Sequence, residues 1–298
     1  MGKKLIGIIL VAGLAVAGLV IWPKFKTSSG ASNSSSAEQV ADNSAAATDD
    51  EQPKLPAGTP TQELIKTLTA NIAKSPNDLE SFYLRALAYE KEHQYGAAIL
   101  DYNEVLRISP KNANALFNRA LMNVKKLNFD AAIADFDAVQ SLRPDDAKIF
   151  NSRGLVYVEQ GSLMSALRDY AQAIKLNPKY GKAYFNRGTL YERQKKLKEA
   201  KTDYDKAIEF NQADDEDTDA AEANDRLTEA YYRRAIMSLN LGDARSALDD
   251  ANYVIEHSPK NAKAFKLRAA INSQLGNTAA AASDESTATT LSMENMLK

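Results

Sequence analysis

FNSRGLVYVEQGSLMSALRDYAQAIKLNP, residues 150–178, is the stretch whose reading decides the fold. Phe150, Gly154 and Tyr157 fall at i, i+4 and i+7, one face of a helix. Ala166, Tyr170 and Ala173 repeat that pattern and predict a second helix. Small residues at a helix crossing let two backbones approach, and the aromatics fill the space on either side. Pro178 then ends the second helix, because proline has no N–H for the helical ladder.

The stretch is one copy of a repeat. Arg85, Arg119, Arg153, Arg187, Arg234 and Arg268 are each followed sixteen residues later by Asp101, Asp135, Asp169, Asp203, Asp250 and Asp284. The first four arginines lie 34 residues apart, as do the last two. After each arginine comes Ala86, Ala120, Gly154, Gly188, Ala235 or Ala269, and twelve further on Ala98, Ala132, Ala166, Ala200, Ala247 or Ala281. Three residues before it stands Phe82, Leu116, Phe150, Tyr184, Tyr231 or Phe265. Tyr102, Phe136, Tyr170 and Tyr204 follow four of the aspartates, and Pro76, Pro110, Pro144, Pro178 and Pro259 punctuate the units. A constant period marks stacked supersecondary units, and such arrays mostly bind other proteins.

This pattern resembles the tetratricopeptide repeat (TPR) family over roughly Leu79 to Leu291. The resemblance implies an all-α, right-handed superhelical solenoid of about six helix-turn-helix units with terminal capping helices. It also implies a concave groove lined by the first helix of each pair. On the family's groove positions this chain places Tyr83, Leu87, Phe117, Asn118, Leu121, Val124, Asn151, Leu155, Val158, Phe185, Asn186, Tyr232 and Ile236. The ninth position reads Leu87, Leu121, Leu155, Thr189, Ile236 and Ala270, where the family tends to place asparagine. An apolar stripe there is expected to be accessible, and such stripes mark docking surfaces. Docking of a partner and coverage by the chain itself or a second copy are the two readings. Asn118, Ser152 and Asn186 would form a short polar row for the backbone of an extended peptide. The carboxylate clamp of the family's chaperone-binding members does not fit. Across Tyr83, Leu87, Asn118, Lys148 and Ser152 only two of five positions match.

The recurring Arg and Asp are read as structural ion pairs made once per unit, within or between repeats. A ligand grip would vary along the groove, whereas here each charge keeps its opposite.

The ends speak to location. Leu5 to Trp22 runs eighteen residues without a charge, enough to span or nearly span a bilayer, behind a short basic start. Residues 1–23 are therefore expected to be a transmembrane anchor, with Trp22, Lys24 and Lys26 at the interface. Ala15-Val16-Ala17 offers the alternative of a cleaved leader and an exported soluble protein. Either way the array would lie outside the cytoplasm, facing the periplasm from a bacterial inner membrane or at the cell exterior. Residues 24–60, rich in Ser, Ala and Asp, have too little apolar surface to fold. They read as a tether on the order of 30 Å. Residues 61–77 read as a capping helix with Leu64, Ile65, Leu68 and Ile72 on one face, and residues 78–298 as the array.

An acidic insertion at 213–227 lengthens the spacing from Arg187 to Arg234 to 47 residues. Its Asp215-x-Asp217-x-Asp219 spacing does not make a calcium loop, since Ala220 and Arg226 stand where glycine and a bidentate glutamate are needed. A solvated loop leading into a lengthened helix, with Thr218 as N-cap, is expected instead.

The two histidines, His93 and His257, lie in different repeats, and there is no cysteine. No phosphate loop, metal-ligand cluster or nucleophile motif appears, so neither a cofactor nor catalysis is expected. A formal net charge of −2 without a basic stripe argues against nucleic acid. The expected function is a non-enzymatic, membrane-tethered adaptor in bacterial envelope assembly. A self-assembling dimer, or an N-anchored receptor with a cytosolic array, are the alternatives.

Overall fold

The computed structural model describes residues 53–211 and 220–296, and the secondary structure there is helical. The expected anchor at 5–22, most of the tether, and Thr218 with the acids at 214–219 lie outside the described residues. Two compact units divide at Pro178 and Lys179.

The first unit holds α1 (Thr61–Lys74), α2 (Leu79–Lys91), α3 (Tyr95–Ile108), α4 (Ala113–Lys125), α5 (Phe129–Leu142), α6 (Ala147–Glu159) and α7 (Leu163–Leu176). The second holds α8 (Gly181–Arg193), α9 (Leu197–Glu209), α10 (Ala220–Asn240), α11 (Ala244–His257), α12 (Ala262–Gln274) and α13 (Thr278–Met296). Within each unit every helix packs on the next, so the helix pairs form stacks. In the first stack α1 covers α2 with Leu64 and Leu68, which are buried with Ala88.

Local chemistry sets the boundaries. Ser75, Ser109, Arg143, Asn177 and Ser258 each precede a proline and end a helix at φ between −139° and −128°. A following proline ring disfavours helical backbone at these residues. Two residues beyond the proline an Asp or Asn starts the next helix. Asp78, Asn112, Asp146 and Asn261 accept a bond from a backbone N–H of the first turn of α2, α4, α6 and α12. Tyr180, in the equivalent place before α8, makes no such cap.

The turn from first to second helix needs one left-handed residue. Gly161, Gly242 and Gly276 supply it without strain, but His93, Leu127 and Lys195 adopt φ of 57–61° with a side chain attached. Left-handed backbone costs a non-glycine residue about 1–2 kcal/mol, part of which glycine returns through its freer unfolded chain. Leu127→Gly, at an exposed position, is expected to raise stability by about 0.5–1 kcal/mol in urea unfolding. A loss of stability would show that the leucine side chain matters more than the backbone.

The core runs between the two helices of each repeat. Ala98, Ala132, Ala166, Ala200 and Ala247 are fully buried at the crossings, beside Tyr102, Phe136, Tyr170 and Tyr204. The six arginines close on their aspartates in one geometry. Nε donates to Oδ2 at 2.7–2.9 Å and Nη2 to Oδ1 at 2.6–2.9 Å. These are two-pronged forks between the first and second helix of one repeat. The aspartates are 3–5% exposed.

Nη1 of five of these arginines reaches the helix that precedes its own pair. Its acceptors are Thr69, Asn103, Asp137 with Gln140, Asp205 and Asn252. One guanidinium thus pins three helices. Burial raises the Asp203 and Asp250 carboxyls above their ordinary value against the pull of Arg187 and Arg234. Their partners Arg187 and Arg234 are shifted toward the charged form, so the pair stays ionised, and its weight lies in what an unpaired member would cost.

Candidate functional site

The groove positions lie on α2, α4, α6, α8 and α10, and the structure sorts them by burial. Leu87, Phe117, Val124, Leu155 and Val158 in the first unit are partly exposed, as are Phe185, Asn186, Tyr232 and Ile236 in the second. Tyr83, Asn118, Leu121 and Asn151 are buried. This corrects the expectation that all of them line an open groove. Leu121, expected to be accessible, is 7% exposed. The physical reason is that a stacked array buries a continuous core against its neighbours, and residues on the flank of a first helix join it.

Several have partners inside the fold. Tyr83 stands edge-on to Tyr102 with centroids 5.7 Å apart, and Phe117 to Phe136 at 5.5 Å. Phe185 lies 5.9 Å from Tyr204. The fifth-position aromatics thus fill the space between the two helices of their own repeat. Asn118 Nδ2 donates to Tyr83 Oη at 2.8 Å, tying α4 to α2. That corrects its assignment to a polar row for a peptide backbone, and Ser152, 4% exposed, is no more available. What remains open to solvent is a narrower apolar line, Leu87, Phe117, Val124, Leu155 and Val158, on three first helices of one unit.

The sequence reading missed a polar network in the second unit. Tyr204 Oη donates to Glu192 at 2.7 Å, Arg233 Nη1 donates to the same carboxylate at 3.0 Å, and Arg233 Nε donates to Glu229 at 2.7 Å. These carboxylates hold the Arg233 guanidinium protonated although burial opposes it. The i, i+4 spacing of Glu229 and Arg233 was a visible signal. The links to Glu192 and Tyr204 come from tertiary packing. Among the described residues no group of three His, Cys, Asp or Glu is arranged to hold a metal ion, and no helix is long and apolar enough to cross a membrane.

Three family models match: a TPR repeat over residues 154–195, and tetratricopeptide repeats over 181–214 and over 82–147. The chain carries tetratricopeptide repeats. Solved TPR-like structures share the fold. The MamA protein is 16% identical with a TM-score of 0.52, over 62% of this chain and 93% of that one. A tetratricopeptide repeat protein of Parabacteroides merdae is 20% identical with a TM-score of 0.54, over 78% and 86%. PilF of Pseudomonas aeruginosa is 16% identical with a TM-score of 0.56, over 75% and 90%. No curated protein matches this chain. In TPR terms the Arg–Asp forks join the two helices of one repeat, and the Nη1 contacts join a repeat to the one before it or, at Arg85, to the capping helix α1.

Proposed function

We propose that this TPR protein is a non-enzymatic scaffold that docks partner polypeptides on the first helices of its repeats. The observation that carries this reading is the apolar line of Leu87, Phe117, Val124, Leu155 and Val158, left partly exposed on successive first helices. Apolar side chains left at one surface in a regular row are what a docking partner removes from water. The uncharged run from Leu5 to Trp22 and the polar stretch after it support a membrane tether, with the array outside the cytoplasm in a bacterial envelope. Self-association through the same line is the second reading, favoured by the same apolar exposure.

A photo-crosslinking residue at position 155, in the full-length protein in native membranes, tests both. Crosslinks to other proteins that vanish in Val124→Glu/Val158→Glu are the expected result. Crosslinks only between copies of this chain would replace docking by self-assembly, and their survival in the charged variant would remove the apolar line from the account. Leu121 is unsuitable for such a test, because a glutamate there would enter the core. The tether predicts that the protein resists alkaline extraction from membranes, whereas a released, shortened product would favour the cleaved leader.

A further inference from the structure

The residue four after each repeat arginine decides what lies beside its guanidinium. Tyr89, Tyr157 and Tyr191 hold that place in three repeats, with ring centroids 5.7–6.0 Å from the guanidinium carbon. The same three arginines also lie 5.5–5.7 Å from the ring three residues before them, so each is flanked by two aromatics. Asn123 takes the place in the second repeat and Asn272 in the last, where it donates to Asp284 at 3.2 Å. In the fifth repeat the place falls to Ser238.

Arg234 therefore has a single ring, Tyr231 at 5.1 Å. A half-open recess of about 240 Å³ lies beside it, lined by Lys201, Arg234, Ser238, Ser246, Asp249 and Asp250. An apolar cavity of about 150 Å³ already accepts a benzene ring. Ser238 is 1% exposed, and its Oγ makes no hydrogen bond. A buried hydroxyl is seldom left without a partner. Ser238 and Ile236 are two residues apart, about 200° around α10, so the recess lies on another face of α10 than the groove position Ile236.

We propose that this recess is a second docking site, which takes a tyrosine side chain presented by another polypeptide. The ring would lie beside the Arg234 guanidinium, where the chain's own tyrosines lie in three other repeats. Its hydroxyl would meet the accessible polar wall of Lys201, Ser246 and Asp249. A phenol fits this wall better than a bare phenyl group, because the lining is almost wholly polar. The proposal does not depend on the groove reading, since it uses other residues.

The test is saturation-transfer NMR on the full-length protein with N-acetyl-tyrosinamide, N-acetyl-leucinamide and p-cresol. Transfer to the ring protons of the tyrosine derivative, and none to the leucine derivative, is expected. Ser238→Tyr supplies the ring from within, and Ser246→Phe narrows the recess from α11. Each should weaken binding by about tenfold or more, as expected from losing a cation–π contact and the space for it. Ser238→Tyr should also raise the Tm. No transfer to the tyrosine derivative, equal transfer to leucine, or binding that survives both variants would overturn the proposal. Binding of p-cresol without N-acetyl-tyrosinamide would overturn the polypeptide as the source and leave a free phenol as the ligand.

Discussion

Arg153→Ala is expected to lower stability by about 3–5 kcal/mol, the usual consequence of breaking a buried ion pair from one side. For a chain of this size that corresponds to a Tm fall on the order of 10 °C. Arg153 is the most buried of the six arginines, at 9% exposed, and forks Asp169, which is 5% exposed. Alanine would strand that carboxylate among apolar neighbours and free the α6–α7 crossing. The further bonds to Asp137 and Gln140 add less, because Asp137 is solvent-exposed and surface pairs contribute little.

Replacing both partners separates pairing from packing. Arg153→Met/Asp169→Leu should recover most of the loss, since two apolar side chains of similar volume leave no charge unpaired. Thermal melting followed by circular dichroism reads all three proteins. An unchanged melt in Arg153→Ala, together with lost partner capture, would make the pair a ligand contact.

Gly154→Ala is expected to destabilise by about 1–2 kcal/mol although alanine is the better helix former. A Cβ at Gly154 would stand 2.6 Å and 2.9 Å from two ring carbons of Tyr170, which is itself 1% exposed. Overpacking of this kind costs about 1–3 kcal/mol, and the helix-propensity gain of up to about 1 kcal/mol offsets only part of it. Gly96 is the control, because a Cβ there meets nothing within 4 Å. Gly96→Ala should stabilise by up to about 1 kcal/mol. If chemical denaturation moves both variants the same way, the ring of Tyr170 yields and the close approach is not what requires glycine. At Gly188 the nearest ring carbon of Tyr204 lies 3.0 Å away, so alanine there should be the milder change.

The pattern of small residues was readable as a helix crossing, but its division into alanine and glycine was not. Ala86 and Ala120 are fully buried in the equivalent places, while at Gly154 and Gly188 the rings of Tyr170 and Tyr204 leave only 2.6 Å and 3.0 Å for a Cβ. No spacing rule records that difference. The sixteen-residue step from Arg to Asp was equally plain in the chain. Its third arm was less plain: Thr69, Asn103, Asp137 and Asn252 each lie sixteen residues before their arginine and each offers a side-chain oxygen, but the residue type changes and Asp205 is displaced by the insertion.

The candidate groove shows the same limit from the other side. Family position placed Tyr83, Asn118 and Leu121 with Leu155 and Val158, yet the first three are core and the last two are surface. A helix position gives a direction, whereas exposure depends on the neighbouring helix that lies in that direction.

By itself, the sequence determined the helices, their pairing, the repeat and the residues that stop each element. All of these follow from local periodicity, proline chemistry and a constant step along the chain. Only the tertiary structure decided which apolar groove positions stay open, that one guanidinium pins three helices, and that Ser238 leaves a recess beside Arg234. Those features arise where side chains from separate helices compete for the same space, and that competition is settled only when the helices are packed.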